Sequence, residues 1–114
     1  MRVETVFLSL NARDFDSQAA WWATLIGRRH DDEPMPSCRE WALREGVALQ
    51  VLDAPEGGRT AVSLRVDDLD GAVARLRAAG VAVPDPGRVP GFDTLRVTRF
   101  EDPEGNPVSL LDGA

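Results

Sequence analysis

The chain has almost no cysteine or histidine, the thiol and imidazole side chains on which many metal and redox sites depend. Among 114 residues there is one cysteine and one histidine. The single Cys38 excludes an intramolecular disulfide, points to a reducing cytoplasm, and is expected to act as a small apolar filler. His30 falls where the first helix should give way to a strand, beside the acidic run Asp31-Asp32-Glu33, and both read as a solvated turn. Lysine is absent: all 13 basic residues are arginine. Against 19 acidic residues they leave a formal net charge of −6, which argues against the basic patch a nucleic-acid surface needs. No apolar run approaches the roughly 20 residues of a membrane helix. Met1-Arg2, followed at once by Glu4, predicts no signal peptide.

What is present comes twice. Val6, Leu8 and Leu10 alternate on one face of a predicted strand from Thr5 to Leu10. Val62, Leu64 and Val66 do the same between Thr60 and Val66. A helix follows each strand. Asp14 is the predicted cap of the first, whose Ala19, Trp22, Leu25 and Ile26 form an apolar side before Gly27 stops it. Asp67 or Asp68 caps the second, where Leu69, Ala72, Val73 and Leu76 recur at helical spacing until Gly80. Trp22 reads as a core residue. Hairpins close each unit: Trp41 to Gly46 turning into Val47 to Leu52, and Leu95 to Phe100 turning into Val108 to Leu111. Short strands at 28–32 and 81–83 complete two β-α-β-β-β units, residues 1–55 and 59–114, in one domain of 114 residues. The segment 84–93, with its prolines and glycines, reads as a loop, in which Phe92 is a candidate lid. Asp53 to Gly58 reads as the linker.

The turn before the last strand, Asp102-Pro103-Glu104-Gly105-Asn106, has its own chemistry. Proline presets φ near −65°, glycine supplies a positive-φ position, and asparagine tolerates left-handed geometry. Each sheet buries one face under its helix. The other face carries Ser9, Gln50, Ser63 and Ser109 where a filled core would prefer apolar residues. The expected fold is therefore α+β, with two curved mixed sheets around a cup-shaped cavity that holds a small ligand. An ordinary sandwich with a filled interior is the alternative.

Paired β-α-β-β-β units, an Asp-led helix with Trp21-Trp22 and an ending Leu25-Ile26-Gly27, the turn Val66-Asp67-Asp68-Leu69-Asp70-Gly71-Ala72-Val73, and the Asp-Pro-Glu-Gly-Asn segment together resemble the vicinal oxygen chelate superfamily. This is the group of glyoxalases, bleomycin-resistance proteins and extradiol dioxygenases. The resemblance runs from about Thr5 to Leu111. It implies four inward positions that hold a divalent ion in the metal-dependent members. They fall on Thr5 or Phe7, on Gln50, on Ala61 and on Ser109. Only Gln50 is a credible ligand there, since such metals want imidazole, carboxylate or thiolate. The expectation is a member with no metal and no cofactor.

Two functions follow. One is binding of a small, partly aromatic organic molecule in the cup, as bleomycin-resistance proteins do. The other is a glyoxalase-like lyase or isomerase acting on a small keto or epoxide substrate without metal. A protein-binding domain with an occluded cup is the third possibility. Candidate ligand-binding residues are Phe7, Ser9, Asn11, Trp41, Gln50, Ser63, Arg65, Phe100 and Ser109. Arg65 is suited to clamping a carboxylate or phosphate; no side chain among them is a natural base. The resemblance also implies a homodimer, which would cover exposed sheet edges.

Overall fold

The computed structural model describes residues 2–114. The chain runs β1 (Val6–Ala12), α1 (Phe15–Ile26), β2 (Asp32–Met35), β3 (Cys38–Arg44), β4 (Val47–Asp53), β5 (Val62–Arg65), α2 (Leu69–Ala78), β6 (Gly87–Arg88), β7 (Arg96–Glu101) and β8 (Pro107–Asp112). The fold is α+β, with two four-stranded mixed sheets in the orders β1-β4-β3-β2 and β5-β8-β7-β6. Neither sheet closes into a barrel. The chain divides into two compact units. One holds the residues up to Thr60 together with Asp102–Asn106; the other holds Ala61–Glu101 and Pro107–Ala114.

In the first unit β1 lies parallel to β4, and β3 is antiparallel to β4 and β2. Alternation along the strands sorts the residues onto two faces. Leu10, Leu49, Val51 and Trp41 share one face and are buried with Ala19, Trp22 and Leu25 of α1. Arg39, on the same face, reaches α1 through an ion pair with Asp16 and by lying over the Phe15 ring. Truncating Leu10 or Leu49 in such a core costs about 2–5 kcal/mol. Asp14 caps α1 by accepting from the Ser17 amide at 3.2 Å. Gly27, at φ 93°, ends it in the left-handed conformation.

The second unit repeats this plan: β5 is parallel to β8, and β7 is antiparallel to β8 and β6. Val62, Val108 and Leu110 share the face buried with Leu69, Val73 and Leu76 of α2. Asp68 caps α2 through the Gly71 amide at 3.0 Å. Arg96 ties the sheet to the helix by a two-pronged contact with Asp70.

Two short strands differ from the sequence expectation. The second strand of the first unit is Asp32–Met35, not 28–32. Residues 28–31 are taken up with ending the helix: the Arg28 amide bonds the Ala23 carbonyl, and the Asp31 carboxylate holds Arg28 and the Ala42 amide. In the second unit no strand forms at 81–83. Val83 is instead a core residue whose carbonyl accepts from Arg77. The two-residue β6 lies within the segment expected to be all loop.

Candidate functional site

The face of the first sheet turned away from α1 carries a cross-strand polar row. Register places Ser9, Gln50 and Glu40 side by side on β1, β4 and β3. Ser9 Oγ donates to Gln50 Oε1 at 3.0 Å, and Gln50 Nε2 donates to Glu40 Oε1 at 2.8 Å. Both ends of the Gln50 amide are thereby committed, which fixes its orientation. Phe7 pairs with Ala48 in the next row and is 53% exposed. Asn11 pairs with Leu52 on the other side, and its Nδ2 donates to the Gly57 carbonyl at 2.9 Å. Glu40 escaped the sequence reading. The Glu45-Gly46 turn alone would set Trp41 opposite Gln50; a register shift between Ala42 and Arg44 brings Glu40 there instead.

The corresponding face of the second sheet is basic. Ser63, Ser109 and Arg99 form one row across β5, β8 and β7, and Arg65, Leu111 and Val97 form the next. Ser63, Arg65 and Arg99 are exposed, and Ser109 is half-buried. Arg65 donates one Nη1 bond to the Gly113 carbonyl at 2.8 Å. Within each unit the expected ligand-binding residues therefore gather as Phe7, Ser9, Asn11 and Gln50, and as Ser63, Arg65 and Ser109.

The two remaining aromatic candidates lie elsewhere. Trp41 is on the α1 side of its sheet with no exposed surface. Its Nε1 donates to the Arg28 carbonyl at 3.0 Å, and the His30 ring packs edge-on to it with centroids 5.8 Å apart. His30 is thus an element of packing rather than a solvated turn residue. Phe100 pairs with Val108, on the α2 side of the second sheet.

The Asp102–Asn106 turn does more than deliver the last strand. Asp102 is 5% exposed. Its Oδ2 accepts from Gln18 Nε2 at 2.7 Å, Trp22 Nε1 at 3.0 Å and Asn106 Nδ2 at 2.7 Å. Its Oδ1 accepts from the backbone amides of Glu104 and Asn106. The Glu104 carboxylate takes the amides of Arg13 and Asp14 at the start of α1, and Asn106 Oδ1 takes the Thr60 amide. Each polar side chain of the turn thus bonds another part of the first unit.

A family model for a glyoxalase-like domain matches residues 6–111. The chain belongs to the glyoxalase-like family. Solved structures share the fold. A glyoxalase/bleomycin resistance protein from Catenulispora acidiphila superimposes with a TM-score of 0.84 at 24% identity, over 97% of this chain and 99% of that one. TnmS3, described as an antibiotic binding protein from Streptomyces sp. CB03234, gives 0.73 at 26% identity over 96% and 95%. A lactoylglutathione lyase from Agrobacterium tumefaciens gives 0.77 at 18% identity over 98% and 95%. No curated protein matches the chain.

The residues at the positions of the family's divalent ion do not fit such an ion. Phe7 and Ala61 offer no side-chain donor atom, and neutral threonine and serine hydroxyls are poor ligands at Thr5 and Ser109. The one amide oxygen, Gln50 Oε1, already accepts from Ser9. Among the described residues no group of three or more His, Cys, Asp or Glu side chains could hold a metal. Cys38 is 1% exposed. Burial, reinforced by the charges of Glu40 and Asp32, raises its pKa and keeps it a neutral thiol. Among the described residues no helix is long and apolar enough to cross a membrane.

Proposed function

We propose that this glyoxalase-like protein binds a small organic molecule without a divalent ion, using the open faces of its sheets. The observation that carries the reading is the Ser9–Gln50–Glu40 row. At one of the positions where the family carries a metal ligand, this chain has instead a hydrogen-bonded amide flanked by an exposed aromatic side chain at Phe7. Polar groups in fixed orientation beside apolar surface are what fix a small ligand's pose. The description of TnmS3 as an antibiotic binding protein supports the same reading. A homodimer belongs to the proposal, because β1 and β5 are edge strands; sedimentation equilibrium at twice the chain mass is the expected result, and a single-chain mass would remove this part.

The test is native mass spectrometry of the purified protein, with Gln50→Ala beside it. The wild type should carry a co-purified organic molecule. The Ala variant should keep its thermal midpoint and lose at least tenfold in binding. Equal retention by both proteins would remove Gln50 from the site.

Glu40 favours a second reading. It is a half-buried carboxylate on the same face, held in place by Gln50. A positioned carboxylate can move a proton on a keto or epoxide substrate, and general acid–base catalysis contributes about 10²–10⁴-fold. Chelator-treated protein should then turn over such a substrate, and Glu40→Gln should abolish turnover while leaving binding. Saturable binding with no product is the outcome that rejects the enzyme.

A further inference from the structure

We infer that the ligand of this protein carries an oxyanion, a carboxylate or a phosphoryl-type group, which docks on the Ser63–Ser109–Arg99 row with Arg65. The inference rests on the small-molecule reading above and adds the chemical class of the ligand.

The chain is acidic, at net −6, and the matching face of the first sheet is acidic too: Glu40 stands in its central row, with Asp32 paired to it from β2. The open face of the second sheet departs from both. It presents two guanidinium groups and two hydroxyls. Ser63, Ser109 and Arg99 are direct register partners, so the row spans about 10 Å at a strand spacing of roughly 4.8 Å. Arg65 lies two residues from Ser63 on the same side of β5, about 7 Å along the strand.

The donors on this face are left available. Among the described residues no hydrogen bond or ion pair engages the Arg99 guanidinium, and that of Arg65 spends only Nη1, on the Gly113 carbonyl. Four arginines elsewhere in the chain are matched to acids: Arg28 to Asp31, Arg39 to Asp16, Arg77 to Asp85, and Arg96 to Asp70 and Asp112. On this face the one acid is Glu101, next to Arg99 in the alternation of β7 and paired with Pro107. Two guanidiniums against one carboxylate leave the face net positive.

The chemistry of the donors selects the ligand. A guanidinium fork meets a carboxylate or phosphoryl group with two parallel hydrogen bonds. Serine hydroxyls from neighbouring strands can donate to the same oxygens. A neutral ligand makes no use of two unpaired cations on one face.

The test is a set of titrations followed by amide NMR shifts, with benzoate, phenylphosphonate and the neutral benzamide as probes. Both anions should bind at least tenfold more tightly than benzamide and shift Ser63, Arg65, Arg99 and Ser109. Arg99→Gln combined with Arg65→Gln should remove that difference. Arg99→Lys keeps the charge but loses the fork, and should weaken benzoate several-fold. Raising the salt concentration should weaken the anions alone. The better of the two anions distinguishes a carboxylate from a phosphoryl ligand. Benzamide binding as tightly as the anions, and still dependent on Gln50, would overturn the anion assignment while leaving the binding reading standing. Anion binding unaffected by the double substitution, or absent, would overturn the assignment as well.

Discussion

Asp102 sits almost wholly out of water with three side-chain donors on one oxygen and two backbone amides on the other. A carboxylate is the one side chain that can accept on both sides. Asparagine is nearly isosteric but turns one oxygen into a donor, so it must oppose either Gln18, Trp22 and Asn106 or the two amides. Bonds to a charged group contribute roughly 1.5–3 kcal/mol each, and unmatched buried donors add their desolvation. Asp102→Asn should therefore cost about 3 kcal/mol, a fall in thermal midpoint of roughly 10 °C or more. Differential scanning calorimetry reads it, and a shift of under 2 °C would refute the role. The site already carries one strained member, since Gln18 Oε1 is buried without a hydrogen-bond partner among the described residues. The turn itself was legible from proline, glycine and asparagine, and Gly105 does adopt φ +85°. The hub was not. Its donors Gln18 and Trp22 come from a helix 84 and 80 residues away in sequence, and no local pattern pairs them.

At the scale of elements the helices were the most readable, because caps and stops are local chemistry. Asp14, Gly27 and Asp68 act as their residue types dictate. Gly71 offers a direct measure of what a cap is worth. A β-carbon there would lie 2.3 Å from Asp68 Oδ2, so alanine displaces the capping carboxylate. Losing a cap costs about 1 kcal/mol, and replacing glycine by alanine inside a helix returns about 1 kcal/mol. Gly71→Ala should thus be neutral within about 0.5 kcal/mol, while Asp68→Ala should cost about 1 kcal/mol. Chemical denaturation of the two variants checks this. Stabilisation of Gly71→Ala by a full 1 kcal/mol would show that the cap contributes nothing. The short edge strands were the least readable elements. β2 contains Pro34 and no buried residue, and β6 is two residues long. Such strands are defined by a partner's free edge rather than by their own alternation.

For the molecule as a whole, duplication was visible in the sequence because each half repeats the same apolar positions, Val6 and Val62, Leu10 and Val66, Trp22 and Leu76. Which polar residues meet was less visible. Ser9 and Gln50 were marked by strand alternation, but Glu40 and Arg99 join their rows only through hairpin register, and Trp41 and Phe100 fall on helix-covered faces for the same reason. The account therefore stands on one substitution of chemistry. At the positions where metal-dependent relatives carry strong ligands, this chain carries Phe7, Ala61 and Ser109, and a Gln50 amide already held at both ends. The most direct measurement is native mass spectrometry of the intact protein, run with elemental analysis of the same sample and with Gln50→Ala as control. The account expects a bound organic molecule, no stoichiometric divalent metal, and loss of the molecule in the variant. One tightly held divalent ion per chain, released by Gln50→Ala, would contradict it.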